Sequence, residues 1–207
     1  MMRRAVVLMA VLALAAPVMA ADHWDEQGDA PELIPGQAVN GAGNLATIFG
    51  SFTGSNDADL YQILITDADT FSASTVDRCE CDTQLFLFDA DGLGVVHNDD
   101  NVVPGQGFTS LITDQFVVSE GLYYLGISHF DRDPLSPDDD EIWNDQPFRA
   151  ERQPDGPGAP GPLFSWSGSG GGADAYSIAL TGAGFVPEPS TLALLGLGGF
   201  ALLRRRK

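Results

Sequence analysis

Through the middle of the chain, apolar residues recur with a period of two, the spacing that lines one face of a strand. Leu45, Thr47 and Phe49 form the first such set, Tyr61, Ile63 and Ile65 the second, and Phe71, Ala73 and Thr75 the third. Leu85 and Leu87 alternate with Phe86 and Phe88, so this strand is apolar on both faces and is expected at the centre of a sheet. Val95 and Val96 supply a short partner across Asp91-Gly92, a dipeptide suited to a hairpin turn. Residues 111–118 and 122–130 are expected to pair across Glu120-Gly121, with Tyr123, Leu125 and Ile127 on one face. Tyr176, Ile178 and Leu180 supply the last strand. No segment between the two ends of the chain keeps a helical period. About eight short antiparallel strands without a helix predict an all-β fold, an antiparallel β-sandwich of jelly-roll type.

Residues 131–172 break the pattern. They hold seven prolines, seven glycines and the run Asp138-Asp139-Asp140-Glu141. A loop this long inside a compact domain is commonly functional or disordered. Trp143, Phe148, Phe164 and Trp166 argue against disorder. They either pack the loop onto the sandwich as a lid, the commoner role, or offer ring faces to sugars. Trp143 and Trp166 are therefore the candidate ligand residues.

Both ends read as addresses. Residues 1–20 carry Arg3 and Arg4, an apolar run over 5–18, and Val18-Met19-Ala20 before a cut after Ala20, the order of a secretory signal peptide removed by signal peptidase. Near the other end an apolar run over 191–203 is closed by Arg204, Arg205, Arg206 and Lys207. Thirteen residues at about 1.5 Å each give about 20 Å of helix, against a hydrocarbon core of about 30 Å. That is a marginal, temporary membrane stop, with the basic cluster on the cytoplasmic side and the body outside. The expected layout is a signal peptide at 1–20, an N-terminal extension at 21–44, a sandwich at 45–182 and a sorting segment at 186–207. A short helix is expected at each end. Of 207 residues, about 165 are left to fold, which suits one domain.

Charge narrows the partners. Between the ends, only Arg78, Arg132, Arg149 and Arg152 stand against all 29 acidic residues, a balance of −25. Such a surface repels phosphate backbones, which excludes nucleic acid as a partner, and attracts cations, calcium among them. The bland alternative is that the acidity keeps an exported protein soluble.

Two resemblances add to this. Val186-Pro187-Glu188-Pro189-Ser190-Thr191, the Leu- and Gly-rich run after it and the closing arginines resemble the PEP-CTERM sorting signal of Gram-negative bacteria. The resemblance implies that an exosortase, a membrane protease, cuts near Pro187-Glu188-Pro189 and sends the body to the cell surface or beyond. It also implies an association with exopolysaccharide. Within the body, Asp57-Ala58-Asp59-Leu60-Tyr61, the stretch from Asp82 to Gly92, Asn98-Asp99-Asp100 and the stretch from Gly121 to Ser128 resemble, in that order, the bacterial pre-peptidase C-terminal (PPC) domain. That resemblance spans about residues 45–130. It implies a jelly-roll β-sandwich that accompanies secreted proteins without catalysing anything, some of its members binding calcium or polymers. The long loop and the Cys79–Cys81 pair depart from the simplest form of that domain.

Candidate chemistry lies in the acidic turns. Calcium takes six to eight oxygens from carboxylates and carbonyls. The candidate ligands are Asp57, Asp59, Asp82, Asp89, Asp91, Asp99 and Asp100. Asp89 and Asp91 flank a hairpin turn while Asp99 and Asp100 lie at its open end, so one site holding all four needs a curled loop. Asp57 and Asp59 are placed to join Asp82 or the Asp99-Asp100 loop. The competing reading has these residues capping turns. Cys79 and Cys81 are the only cysteines; export favours a disulfide, with free or intermolecular thiols and a metal site as alternatives. Histidines are limited to His23, His97 and His129, and no nucleophile elbow, zinc-protease or phosphate-loop motif is present. Paired carboxylates leave a glycosidase dyad open on composition alone. The expectation is a non-catalytic, exported surface or exopolysaccharide-matrix protein. A carbohydrate-binding module with a calcium-stabilised loop is the alternative, and a secreted hydrolase the third reading.

Overall fold

The computed structural model describes residues 22–102 and 107–188. Its strands are β1 (His23–Asp25), β2 (Gln37–Ala38), β3 (Thr47–Ser51), β4 (Ala58–Ile65), β5 (Ser72–Ser74), β6 (Thr83–Phe88), β7 (Gly94–Asn98), β8 (Leu111–Ile112), β9 (Gly121–His129), β10 (Pro134–Leu135), β11 (Ser165–Trp166), β12 (Ala175–Thr181) and β13 (Ala183–Gly184). Two 3-10 turns, at Ala68–Thr70 and Asp114–Phe116, are the only helical elements among the described residues. The helices expected over 1–20 and 191–203 lie outside those residues.

Two sheets share one core. The five-stranded sheet runs β1-β3-β12-β5-β8. The six-stranded sheet runs β13-β4-β9-β6-β7, with β2 also on β4. Ile48, Ala73, Ile112 and Ile178 of the first sheet pack with Ile63, Leu85, Leu87, Leu125 and Ile127 of the second in a single buried cluster. Most ladders are antiparallel. The parallel ones, β1 on β3 and β2 on β4, both come from residues before 45. The segment expected to be an extension is thus stitched into both sheets, and Ala30 and Val39 join the core.

The period-two reading places most faces correctly. Tyr61, Ile63 and Ile65 are buried on β4, as are Tyr123, Leu125 and Ile127 on β9 and Tyr176, Ile178 and Leu180 on β12. The hairpin turn also forms, with Gly92 at φ +83° and its N–H donating to the Asp89 carbonyl. Two expectations fail. In β3 the inward residue is Ile48, whereas Phe49 is 44% exposed and packs on His23. Leu45 precedes the strand, so its burial is out of phase with β3. Residues 111–118 do not pair with 122–130. Only Leu111–Ile112 is strand, and it joins β5 in the other sheet. The strand stops because the Thr113 N–H and hydroxyl both donate to the Glu151 carboxylate, at 2.7 and 2.8 Å, leaving no donor for a ladder.

The long loop is ordered and covers the outer face of the six-stranded sheet. β10 pairs with β11, and Arg152 forms an isolated bridge with His97 of β7. Phe86 and Phe88, facing away from the main core, meet Leu60, Tyr124, Ile142, Trp143 and Leu163 in a second buried cluster. β6 is apolar on both faces because a sheet covers one and the loop covers the other. Arginine side chains staple the loop down. Arg132 donates from Nη2 to both Glu32 carboxylate oxygens, at 2.9 and 2.8 Å, and Arg152 donates to the carbonyls of Asn144 and Gln146 and to Asp155.

Trp143 is the keystone of this cover, 3% exposed and in ring contact with Phe86, Phe88 and His97. Replacing a buried Trp by Ala leaves a large cavity and costs about 3–5 kcal/mol. Trp143→Ala is expected to lower the unfolding free energy by that amount in urea titration. A loss below about 1 kcal/mol would show that the loop does not depend on this contact.

Candidate functional site

The seven candidate aspartates separate into different environments. Asp89 caps its own turn, its Oδ1 accepting from the Asp91 and Leu93 N–H groups at 2.9 Å each. Asp91 lies in the same turn and joins no carboxylate cluster. Asp57 accepts from the Thr53 hydroxyl at 2.9 Å and from the Thr53 N–H. Asp59 meets Glu26 and Asp29, two residues that sequence reasoning missed because 21–44 was set outside the sandwich. Asp82, Asp99 and Asp100 come together across the open end of the β6–β7 hairpin. A third group, Asp133, Glu141 and Asp145, forms within the loop. Of the run Asp138-Asp139-Asp140-Glu141, only Glu141 takes part.

Asp59 is fully buried between the sheets. Its Oδ2 accepts from the Tyr176 hydroxyl, which lies 2.7 Å from the Tyr61 hydroxyl, while Oδ1 has no partner. This polar link between β4 and β12 needs a glycine on β3: a Cβ at Gly50 would lie 2.5 Å from the Tyr176 hydroxyl and 2.6 Å from that of Tyr61. Burial, opposed by the Tyr176 hydrogen bond and reinforced by Glu26, Asp57 and Asp29, pushes the Asp59 carboxyl up to about 9.

Burial and then the charge of Asp100 and Asp82 push Asp99 up to about 8. Burial and Asp100 push Asp82 up to about 6, with His129 opposing. Burial likewise raises Asp133 to about 6, against a hydrogen bond from Gln84. Burial and the Arg152 guanidinium hold the His97 imidazole down to about 3, so it is neutral where it stacks on Phe86. His129 is buried, with Nε2 3.1 Å from the Gly172 carbonyl and 3.6 Å from Asp174. A cavity of about 290 Å³, lined by Asp82, His129, Asp131 and Asp174 among others, opens there.

Cys79 and Cys81 are joined as a disulfide, with Cα atoms 5.1 Å apart. The two candidate tryptophans take packing roles. Trp143 lies in the second cluster, its indole N–H donating to the Arg152 carbonyl at 3.3 Å. Trp166 packs half-buried on Phe86 and donates to the Glu32 carbonyl at 2.8 Å.

At the other side of the molecule the sandwich runs directly into the sorting segment. Phe185 is in the main core. The Val186 N–H donates to the Val39 carbonyl at 2.8 Å, and the Val186 carbonyl accepts from Gly41 at 3.0 Å. Pro187 has no N–H, so the ladder cannot continue. Pro187 and Glu188 are exposed, while Pro189 and Ser190 lie outside the described residues. Among the described residues no helix is long and apolar enough to cross a membrane.

The family model of the PEP-CTERM protein-sorting motif matches residues 185–207. This motif implies export, transient membrane anchoring and processing by an exosortase. No curated protein and no solved structure matches the chain.

Asp59 carries a pH prediction. The unfolded chain loses this proton near about pH 4, whereas the folded chain keeps it up to about 9. The folded state binds more protons between those values, so stability falls as pH rises through the window. Asp59→Asn keeps an acceptor for Tyr176 and carries no charge. In the presence of chelator, its urea midpoint is expected to fall less than that of the wild type between about pH 5 and pH 9. Parallel falls would contradict the assignment.

Proposed function

We propose that this chain is an exported, non-catalytic protein of the cell surface or exopolysaccharide matrix, delivered by exosortase processing. The observation that carries the reading is the junction at Val186. The matched sorting motif begins where the sandwich ends, with no linker between them. The protease would receive a finished domain attached directly to its recognition segment, and a cut near Pro187-Glu188-Pro189 would release that domain with β13 in place.

The resemblance of residues 45–130 to the PPC domain supports an accessory role and a sandwich of jelly-roll type. The negative body also fits a hydrated anionic matrix, in which it stays soluble by charge. Sugar stacking by Trp143 has less support, because its ring is taken up by Phe86, Phe88 and His97.

Replacing both Pro187 and Pro189 by alanine is expected to leave a longer protein in the membrane fraction, while the wild type appears at the surface or in the medium at lower mass. Intact mass and cell fractionation read the outcome directly. An identical mature mass for the two proteins would count against exosortase processing.

A further inference from the structure

We propose that Asp82, Asp99 and Asp100 form a calcium site at the open end of the β6–β7 hairpin. Asp82 immediately precedes β6, and Asp99 and Asp100 immediately follow β7. Strand pairing therefore brings them together, each offering a carboxylate oxygen within 4.8 Å of the others. Two oxygens on one calcium ion lie at most about 5 Å apart, twice the usual bond length of about 2.3–2.6 Å.

The cluster alone would prove little, since acidic groups gather at many surfaces. Asp99 supplies the independent observation. It is 2% exposed, and its Oδ1 has no hydrogen-bond partner. A buried carboxylate oxygen without a donor is costly, and this one belongs to a side chain directed at two further carboxylates. Among the described residues no cationic side chain forms an ion pair with Asp82 or Asp99, and the Arg152 charge offsets the crowding at Asp99 only in part. Arg149 reaches Asp100 only through Nε at 3.8 Å and is 66% exposed. Arg152 is engaged by the carbonyls of Asn144 and Gln146 and by Asp155. The ring Nε2 of His129 faces Gly172 and Asp174.

The donor set selects the ion. All three donors are hard carboxylate oxygens, and the nearby sulfurs of Cys79 and Cys81 are held in a disulfide. Soft or borderline metals that prefer thiolate and imidazole gain little here. Asp82 and Asp100 are half-buried, so water can complete a six- to eight-fold shell. Three carboxylates of like charge that repel one another as neighbours become ligands once a divalent ion lies between them. The ion would join three parts of the fold: the disulfide segment through Asp82, the end of β7 through Asp99, and the loop through Asp100, whose N–H donates to the Phe148 carbonyl at 3.1 Å. None of this depends on how the chain is exported.

The test uses the full chain in mild detergent, with calcium alone as probe and magnesium as the control for ionic strength. Saturable calcium binding by calorimetry is expected, with a rise in melting temperature that magnesium at equal concentration does not match. Asp99→Asn and Asp100→Asn should each weaken calcium binding about tenfold or more. Glu26→Gln and Asp133→Asn should leave it unchanged. Because Asn at 99 removes a crowded charge whose Oδ1 holds no hydrogen bond, the calcium-free variant is expected to melt no lower than wild type, and Asp100→Asn repeats the test at a half-exposed position. The proposal is overturned by absence of saturable binding up to about 10 mM calcium, by equal affinity in the Asp99 and Asp100 variants, or by a loss confined to Glu26→Gln or Asp133→Asn.

Discussion

Four consecutive apolar side chains on β6 set the terms for the rest of the fold. Leu85 and Leu87 face the opposing sheet, which covers them. Phe86 and Phe88 point the other way, and a two-sheet sandwich alone would leave them in water. Burying two phenylalanines is worth several kcal/mol, so a second cover is strongly favoured. The chain supplies it from residues 131–172, through Trp143, Ile142 and Leu163. That cover excludes water from His97, which is why its imidazole is held neutral. It also draws Glu151 onto Thr113 and so ends β8 after two residues. The proline and glycine content of the loop follows from the same demand. A segment that wraps a sheet face in close contact must turn often, and Gly156 and Gly158 approach the backbone of Glu141 and Asp140 too closely for any side chain.

Charge is distributed with the same economy. Four arginines serve a body with 29 acidic residues. Arg132 and Arg152 are buried as loop staples, bonded to carbonyls and to Glu32 and Asp155. Arg149 is largely exposed, 3.8 Å from Asp100. Carboxylates at the sheet ends are thus left to crowd one another. Crowding and burial act in one direction, raising proton affinity at Asp59, Asp82 and Asp99. In this state the three carboxyl groups hold their protons to higher pH than free carboxyls do.

The strands were legible in the sequence because a strand with one face to the core writes that face in a period of two, as β4, β9 and β12 do, whereas β6 shows an unbroken apolar run because both its faces are covered. Phe49 shows the limit of that rule. An aromatic side chain in phase with Leu45 and Thr47 reads as inward, but the strand begins after Leu45, and phase counted from outside a strand carries no information. The N-terminal residues were harder. β1 and β2 are three and two residues long and join edges in parallel, too short to show a period and without a turn between them and their partners. Losing them also hid the Glu26–Asp29–Asp59 group. The Asp82–Asp99–Asp100 group was half legible. Hairpin logic correctly separated Asp99 and Asp100 from the turn, but only the register of β6 on β7 shows that Asp82 completes the set. The sorting segment was readable outright because its order of parts is linear and needs no fold to assemble it.

The exit of the chain and the Asp82–Asp99–Asp100 carboxylates occupy different edges of one sheet. Chain exit uses the β13–β4 edge, where Val186 is held by Val39 and Gly41 before Pro187 ends the ladder. The Asp82–Asp99–Asp100 group belongs to β6 and β7 at the far edge, with β9 between. Adjacent strands are about 4.8 Å apart, so a membrane protease working at Pro187 and Glu188 would approach a different surface from the carboxylates. This separation has a physical consequence for order of events. The exit edge is complete only when Val39 and Gly41 are in place, that is, when residues before 45 have joined the sheet. Folding of the N-terminal segment therefore completes the edge from which the chain leaves the sandwich at Pro187, and a processing enzyme meets that edge only after residues before 45 have joined it.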